Sequence, residues 1–501
     1  MTLAVVHSRA ALGVEAPAVA IEVHLSNGLP SLSMVGLPEM AVKESRDRVR
    51  GALLNSGFEF PSRRITINLA PADLPKEGGR FDLAIAVGIL AASGQIPREP
   101  LAAWEFAGEL ALTGALRRVN GSLPMAAQTR AAARTLLVPA ENGGEAALVH
   151  PGASFGATDL LQVVDHLCGR APLTPAEPLQ PAHGAAPLPD LADVRGQSGP
   201  RRALEIAAAG GHSLLFNGPP GTGKSMLAER LAGILPPMTD GERMETAAVR
   251  SMSRDGFSPE DWGRRPFRAP HHSTSHVALA GGGTRPRPGE ISLAHNGILF
   301  LDELPEFGRQ TLDMLREPME TGRVNIARAA AQVVYPARFQ LVAAMNPCPC
   351  GHLGDPVHPC RDTPDQIARY RARISGPLLD RIDMQVEVPR LRPEELRQAH
   401  GGEASAAVRE RVVRARAWRT ERSGSPSTAL APDALEAACA LGSAEGAFIT
   451  HALERLGLSA RAYHRILRVA RTIADLAEAP RVERAHLAEA LGYRRLMASE
   501  Q

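Results

Sequence analysis

Lys224 is one of only three lysines among 56 basic residues, the others being Lys43 and Lys76. It stands near the end of the run Gly218-Pro219-Pro220-Gly221-Thr222-Gly223-Lys224-Ser225. A compact ammonium in a chain that otherwise uses arginine points to a place where a broad guanidinium does not serve. The run fits G-x-x-x-x-G-K-[S/T], a loop that cradles nucleotide phosphates. Its glycines let the backbone curl into a nest of N–H donors, and the helix that follows adds partial positive charge. Lys224 is expected to reach the β- and γ-phosphates of ATP, and Ser225 to ligate Mg²⁺.

A second group completes the chemistry. Ile298-Leu299-Phe300-Leu301 is an apolar strand that ends in Asp302-Glu303, at the edge where open α/β sheets bind ligands. Asp302 is expected to hold Mg²⁺ through water, and Glu303 to polarise the attacking water as general base. Asn346 ends the next apolar run, Leu341-Val-Ala-Ala-Met-Asn346. Its amide can orient that water, and a strand-capping asparagine is the plainer alternative. Arg381, in Gly376-Pro-Leu-Leu-Asp-Arg381-Ile-Asp383, is a candidate arginine finger for a neighbouring subunit, which implies a ring. A salt bridge with Asp380 or Asp383 is the local alternative, and Arg373 competes for the finger role.

Cys348, Cys350 and Cys360 fall close together, a spacing that suits a metal better than disulfides. Zn²⁺ takes four ligands, and His352, His358 and Asp362 all stand within reach as the fourth. A structural zinc knot behind Asn346 and a metal-free loop are both open readings. Cys168 and Cys439 are isolated and read as buried free thiols.

Elements must position these groups. Ala18–His24 and Arg64–Leu69 alternate as strands, Lys43–Leu54 has helical spacing, and Phe81–Ala92 is a candidate buried helix. Residues 170–190 hold six prolines in 21 positions, a composition that predicts a semi-rigid linker. From 191 to 390, apolar strands (Ser213–Phe216, Ile298–Leu301, Phe339–Ala344) alternate with helices, the pattern of a helix-wrapped parallel sheet. The chain beyond 390 reads as helical, including Ala407–Trp418, Ser459–Leu476 and Val482–Leu496. The fold class expected is therefore α/β, with a mixed unit over 1–169, the linker, the nucleotide-binding core, and a helical lid over 391–501. No apolar run reaches the ~20 residues that a membrane helix needs, and His7, Ser8 and Arg9 break the N-terminal apolar stretch. The expected location is cytoplasmic. A net charge of +2 leaves any polyanion site to local arginines.

In order, the phosphate loop, Arg268-Ala-Pro-His-His-Ser-Thr-Ser275, Leu301-Asp-Glu-Leu304, Ala344-Met-Asn-Pro347 and Pro377-Leu-Leu-Asp-Arg-Ile-Asp383 resemble the magnesium-chelatase-like AAA+ proteins of the ComM/YifB family. The resemblance extends through Val35-Gly-Leu-Pro38, Val42-Lys-Glu-Ser45 and Asn68-Leu-Ala-Pro-Ala-Asp73 to Leu458-Ser-Ala-Arg-Ala-Tyr-His464. It implies an AAA+ core with a helical lid, preceded by a Lon-protease-like (ribosomal S5 domain 2-like) α+β domain. It also implies a second-helix insertion at about Thr239–Gly283 and a hairpin at about Arg323–Arg338, both directed at a central pore. On this resemblance Arg328 lies near the hairpin tip and, with Arg268, is a candidate DNA contact. Arg461 matches the second nucleotide-sensing arginine, and His271 and His272 fall in the insertion with polar rather than metal roles. Many relatives carry two C-x-C pairs where this chain has Cys348, Cys350, Cys360 and then Asp362. In the N-terminal unit, Arg80 stands where a Ser/Lys protease of that fold would have its serine, so the unit reads as non-proteolytic.

The function implied is a homo-hexameric, ATP-driven DNA helicase for branch migration in natural transformation. The local basis for DNA contact is Arg264-Arg-Pro-Phe-Arg268, Arg285-Pro-Arg287 and Arg369-Tyr-Arg-Ala-Arg373, where arginine and aromatic residues mix. The alternative is a protein-remodelling AAA+ motor of the chelatase-subunit kind. The N-terminal unit favours the first reading, since chelatase motors resemble only the AAA+ portion.

Overall fold

Buried and exposed residues alternate along Ala18–Ser26 and Arg64–Ala70, so each strand buries one face. The computed structural model describes residues 3–36, 40–74, 76, 78–180, 187–283, 286–327, 332–391, 401–423 and 430–494. The first sheet contains β1 (Leu3–Arg9), β2 (Ala18–Ser26), β3 (Ser31–Gly36), β4 (Arg64–Ala70) and β5 (Trp104–Phe106). A small ribbon of β6 (Glu109–Leu110) and β7 (Leu116–Arg117) lies beside it, and β8 (Thr135–Pro139) and β9 (Ser154–Ala157) complete it. The order is β3-β4-β2-β1-β5-β8-β9. Helices α1 (Met40–Asn55), α2 (Asp82–Ser93), α3 (Ser122–Ala131), α4 (Ala140–Val149) and α5 (Leu160–Leu167) accompany these strands. Buried residues run along α2 from Asp82 to Ala92, because its apolar sequence packs against β1, β2 and α1.

The proline-rich stretch is extended but is not a free tether over its first half. Ala176 N–H donates to Ser154 O at 2.8 Å, Leu179 N–H donates to Gly144 O at 3.1 Å, and Leu173 packs on the first core. Proline excludes helix here, while the remaining amides and leucines still find partners along β9 and α4.

The second sheet is parallel, in the order β11-β14-β17-β10-β18. Its strands are β10 (Leu214–Asn217), β11 (Phe267–Arg268), β14 (Ile298–Leu301), β17 (Gln340–Met345) and β18 (Met384–Glu387). Two hairpins interrupt the strand sequence, β12 (Gly281–Gly282) with β13 (Arg287–Pro288), and β15 (Arg323–Ala327) with β16 (Gln332–Pro336). Around this sheet run α6 (Ser198–Gly210), α7 (Lys224–Ile234), α8 (Asp240–Ser251), α9 (His276–Ala280), α10 (Glu290–Leu293), α11 (Arg309–Asp313), α12 (Arg316–Thr321), α13 (Pro364–Arg371) and α14 (Gly376–Arg381). Strand alternation divides the core. Leu214, Phe216, Phe300 and Val342 face α6, α7 and the C-terminal helices, whereas Leu215, Leu299, Leu301 and Leu341 face the β15–β16 side.

The C-terminal part is helical, with Ser405–Ser423, Pro432–Cys439, Ser443–Leu456, Ala460–Leu476 and Arg484–Gly492. It shares a continuous apolar cluster with α6 and α7. Arg419 donates to Ala209 O at 3.1 Å, and Arg202 pairs with Glu489 at 3.0 Å.

The stretch expected as a single insertion over Thr239–Gly283 is divided. Thr239 caps α8 with a reciprocal bond to Glu242, and α8 packs on α3 of the N-terminal unit. Ser251 Oγ lies 2.5 Å from Glu145, and Gly121 N–H donates to Ser251 O at 3.0 Å. Phe267–Arg268 is the edge strand β11, so the excursion that breaks the following helix is the β12–β13 hairpin between α9 and α10. The physical reason is register: Phe267 and Arg268 pair with Ile298 and Leu299, which draws the middle of the stretch into the sheet.

Candidate nucleotide site

The loop between β10 and α7 leaves the sheet at its C-terminal edge. Gly218 sits so close to the chain after β18 that a Cβ would lie 2.2 Å from Val388 O, so no side chain fits there. Gly221 (φ 76°) and Gly223 (φ 88°) adopt left-handed conformations with open space where a Cβ would stand. Glycine supplies that geometry without steric cost, leaving a cradle above the N-terminus of α7 for an anion. Thr222 Oγ1 donates to Pro219 O at 3.0 Å and pins the turn.

Lys224 lies within this loop, with its Nζ 2.7 Å from Gly218 O, 2.8 Å from Pro219 O and 3.1 Å from Asn346 Oδ1. Burial holds its ammonium below the usual lysine range, against the pull of Asp302. Ser225 Oγ donates to Asp302 Oδ2 at 2.6 Å, and Asp302 Oδ1 accepts from Glu303 N–H at 2.9 Å. A hydroxyl and a carboxylate in direct contact, beside an open nest and a lysine, form a donor set that fits Mg²⁺ and a triphosphate.

Glu303 has a left-handed backbone, φ 52°, and its Oε2 lies 3.0 Å from His272 Nδ1. Among the described residues, the ion pair of this carboxylate is with His272 rather than with the Lys224–Asn346 group. Asn346 follows β17 directly. Gln197, which the sequence reading passed over, donates to Pro389 O at 2.8 Å and to Thr222 O at 3.4 Å. It ties the phosphate loop to the segment after β18, and only the turn-forming run Gln197-Ser-Gly-Pro200 hints at it.

The candidate arginines divide by surroundings. The Arg381 side chain is 10% exposed, donates to Pro377 O at 2.8 Å and pairs with Glu320. Arg465 on the helix Ala460–Leu476 holds the Arg381 carbonyl at 2.8 Å and Asp383 at 2.6 Å. The Arg373 side chain is 52% exposed and pairs with Glu306 at 2.8 Å. Arg461 is exposed on the first turn of Ala460–Leu476. None of the hydrogen bonds or ion pairs among the described residues links Arg461 to the loop. Arg268 lies on β11 in a two-pronged pair with Glu290, at 2.6 and 2.7 Å, away from the nucleotide group. Arg328 and Arg285 lie outside the described residues.

The three clustered cysteines converge. Their Sγ atoms are 3.4, 3.6 and 3.6 Å apart, and they and an Asp362 oxygen all lie within 4.8 Å of one another. A tetrahedron with Zn–S bonds of about 2.3 Å has edges of roughly 3.8 Å, so the spacing fits. His352 turns instead to Asp355 at 3.2 Å and meets the His358 ring edge-on, with ring centres 5.1 Å apart. Asp362 also accepts from Cys350 N–H at 2.8 Å. The geometry therefore selects Asp362 from the three candidates for a fourth ligand. Burial pushes the Cys348 thiol up to about 12, so a cation would be needed to hold it as thiolate. Within the cluster, Gly351 approaches the phosphate loop so closely that a Cβ would lie 2.7 Å from Pro220.

Comparison with known proteins agrees with this geometry. The family described as magnesium chelatase, subunit ChlI, matches residues 190–396, and its C-terminal counterpart matches 402–494. Residues 21–142 match a family described as subunit ChlI of Mg-chelatase. The N-terminal unit thus does not by itself separate DNA motors from chelatase motors, contrary to the expectation from resemblance. The chain is 54% identical to competence protein ComM of Haemophilus influenzae, over 99% of this chain and 98% of that protein. It is 52% identical to YifB of Salmonella typhimurium, over 99% and 97%. A magnesium-chelatase 67 kDa subunit of Chlorobaculum parvum matches at 28% identity over 25% of this chain and 18% of its own length. Among the described residues, no helix is long and apolar enough to cross a membrane.

Proposed function

Because the chain belongs to the ComM/YifB family of magnesium-chelatase-like AAA+ ATPases, we propose that it is a hexameric ATP-hydrolysing DNA motor. Its task is branch migration during natural transformation and recombination. The convergence of Lys224 with Asn346 and of Ser225 with Asp302 at one sheet edge carries the ATPase part of this reading. The name of the Haemophilus relative supports the competence part.

In this reading Lys224 exchanges the carbonyls of Gly218 and Pro219 for β- and γ-phosphate oxygens, and the N–H nest takes the rest of their charge. Ser225 and Asp302 hold Mg²⁺, which neutralises phosphate charge when bound. Glu303 takes the proton of the attacking water and Asn346 orients it. Arg381 reaches the site of the next subunit and Arg461 senses the nucleotide from the lid. Cys348, Cys350, Cys360 and Asp362 hold a structural zinc that braces Asn346 and the loop at Pro220. DNA tracks the hairpins, with Arg328 and Arg268 as candidate contacts, and the N-terminal unit serves as a non-proteolytic collar.

Two observations favour a second reading, protein remodelling of the chelatase kind: the matches of residues 21–142 and of the Chlorobaculum subunit. The deciding measurement is ATPase rate and particle mass of the purified protein, with and without a four-way DNA junction. Junction-stimulated turnover by a six-subunit particle supports the DNA motor. Turnover indifferent to DNA at low salt, with a nuclease-resistant protein client, supports remodelling.

A further inference from the structure

The three clustered thiols meet solvent unequally. Cys348 is buried, whereas Cys350 and Cys360 are both partly exposed, with Sγ atoms 3.6 Å apart. Their surroundings also differ in firmness. Cys360 and Asp362 lead straight into Thr363, which caps α13 through a reciprocal bond with Gln366, so Cys360 is tied to a helix. Cys350 lies in the turn that carries Gly351 (φ 81°). That glycine presses on the phosphate loop, where a Cβ would lie 2.7 Å from Pro220 and 3.9 Å from the Asn346 side chain.

Resting on the zinc assignment, we propose that Cys350 and Cys360 are an oxidation site. Peroxide joins them as a disulfide, and the nucleotide site loosens as a result. The thiolate of one attacks a peroxide oxygen: an S–O bond forms, the O–O bond breaks, and the departing hydroxide is protonated to water. The thiolate of the other attacks that sulfenic sulfur: S–S forms, S–O breaks, and a second hydroxide becomes water. Two thiolates, one peroxide and two protons thus become one disulfide and two waters. Cys348 is the poorer partner, being buried, and a bond to Cys350 one residue away would close a small, strained ring.

Oxidation leaves Cys348 and Asp362 as the remaining ligands, and the Asp362 carboxylate already accepts from Cys350 N–H at 2.8 Å. One thiolate and one shared oxygen fall short of the four ligands that zinc takes, so the site loses its hold on the metal. Bonding also draws the two sulfurs together, and the turn at Cys350 yields before the helix-tied Cys360. Gly351 therefore shifts against Pro220. Pro219, its neighbour, supplies a carbonyl to Lys224 at 2.8 Å, which carries the displacement into the phosphate cradle.

The test titrates protein purified under reducing conditions with hydrogen peroxide. Released zinc is read with a chromogenic chelator, the new bond by peptide mass spectrometry, and affinity with a fluorescent ATP analogue. The expected result is zinc release in step with a Cys350–Cys360 disulfide, and a nucleotide Kd raised about five-fold or more. Dithiothreitol with added zinc restores both. Cys168→Ser, which removes the other partly exposed thiol, responds like wild type. The proposal is overturned if zinc stays bound under peroxide, if the bond joins other cysteines, or if Kd is unchanged once zinc has gone. Loss of the response in Cys168→Ser overturns it too. Failure of the underlying zinc reading looks different: the reduced protein then carries no zinc before peroxide is added, and the switch falls with it.

Discussion

The Lys224 ammonium lies 3.1 Å from the Asn346 amide oxygen, joining the phosphate loop to the end of the neighbouring strand β17. Two loop carbonyls share the same ammonium, at 2.7 and 2.8 Å. Truncating a buried, hydrogen-bonded cation costs about 2–5 kcal/mol in binding of its charged partner. Lys224→Ala should therefore weaken ATP binding by that amount, read with a fluorescent nucleotide analogue. Lys224→Arg should fare little better, since a planar guanidinium cannot sit among three acceptors arranged around a point charge.

Glu303 and Asn346 should separate binding from chemistry. Glu303→Gln keeps the size of the side chain and loses its basicity, so nucleotide affinity stays near wild type while turnover falls roughly 10²–10⁴-fold. Asn346→Ala removes a partner of Lys224 and should lower both affinity and turnover. Equilibrium binding and steady-state ATPase on the two variants distinguish these patterns.

The strands beneath these groups were legible because their residues are apolar on both faces of the sheet. Ile298–Leu301 is buried at each position, and such a run ending in Asp302-Glu303 advertises itself. The His272–Glu303 pair was not legible, since His272 lies in a turn beyond a two-residue edge strand, with no apolar run to mark either. Asp362 was hidden among three candidate ligands for a similar reason. His352 was removed from the choice by Asp355, a partner three residues away whose preference emerges only once the turn is folded. Composition identified the proline-rich stretch as extended, but not that Ala176 and Leu179 dock it on Ser154 and Gly144. The division of Thr239–Gly283 was likewise invisible, because Phe267–Arg268 is too short to show a strand period.

Zinc stoichiometry tests the cysteine cluster. The purified protein should carry one zinc per chain by elemental mass spectrometry, and Cys360→Ser should lose it. Asp362→Ala should weaken retention of the metal against a chelator, whereas His352→Ala should not. Loss of metal should also raise KM for ATP, because Gly351 in the cluster packs on Pro220 of the phosphate loop.

Glu245 on α8 predicts an acid-sensitive tie between α8 and the root of the second hairpin. Hydrogen bonding to His295, then Asn296, with Arg338 close by, holds its carboxyl down at about 2. A depressed folded value stabilises above the unfolded range of roughly 4.3 and is lost as pH falls toward the folded one. Thermal stability should therefore drop between about pH 4.5 and 2 with a contribution that Glu245→Gln lacks. The side chain is 44% exposed, so the difference should not exceed about 1 kcal/mol.

Arg381 and Arg373 can be told apart by what assembly demands. Arg381 is fixed at both ends, its guanidinium by Glu320 and its carbonyl by Arg465 of the lid. Asp383, two residues on, accepts from Ser213 N–H at 3.0 Å, just before β10. A side chain held against both the sheet and the lid can report the nucleotide state of one subunit to the next, provided that Glu320 releases it on assembly. Arg373→Ala breaks an exposed pair with Glu306, a long bond to Pro305 O and a contact over the Tyr370 ring, and should change turnover little. Arg381→Ala should lower turnover roughly 10³-fold or more without changing particle mass or ATP affinity. Mixing Arg381→Ala subunits with Lys224→Ala subunits should recover part of the activity. At some interfaces an intact loop then faces an intact arginine, which neither variant can offer alone. If the mixture stays as inactive as its components while Arg373→Ala is inactive and complements, the finger is Arg373.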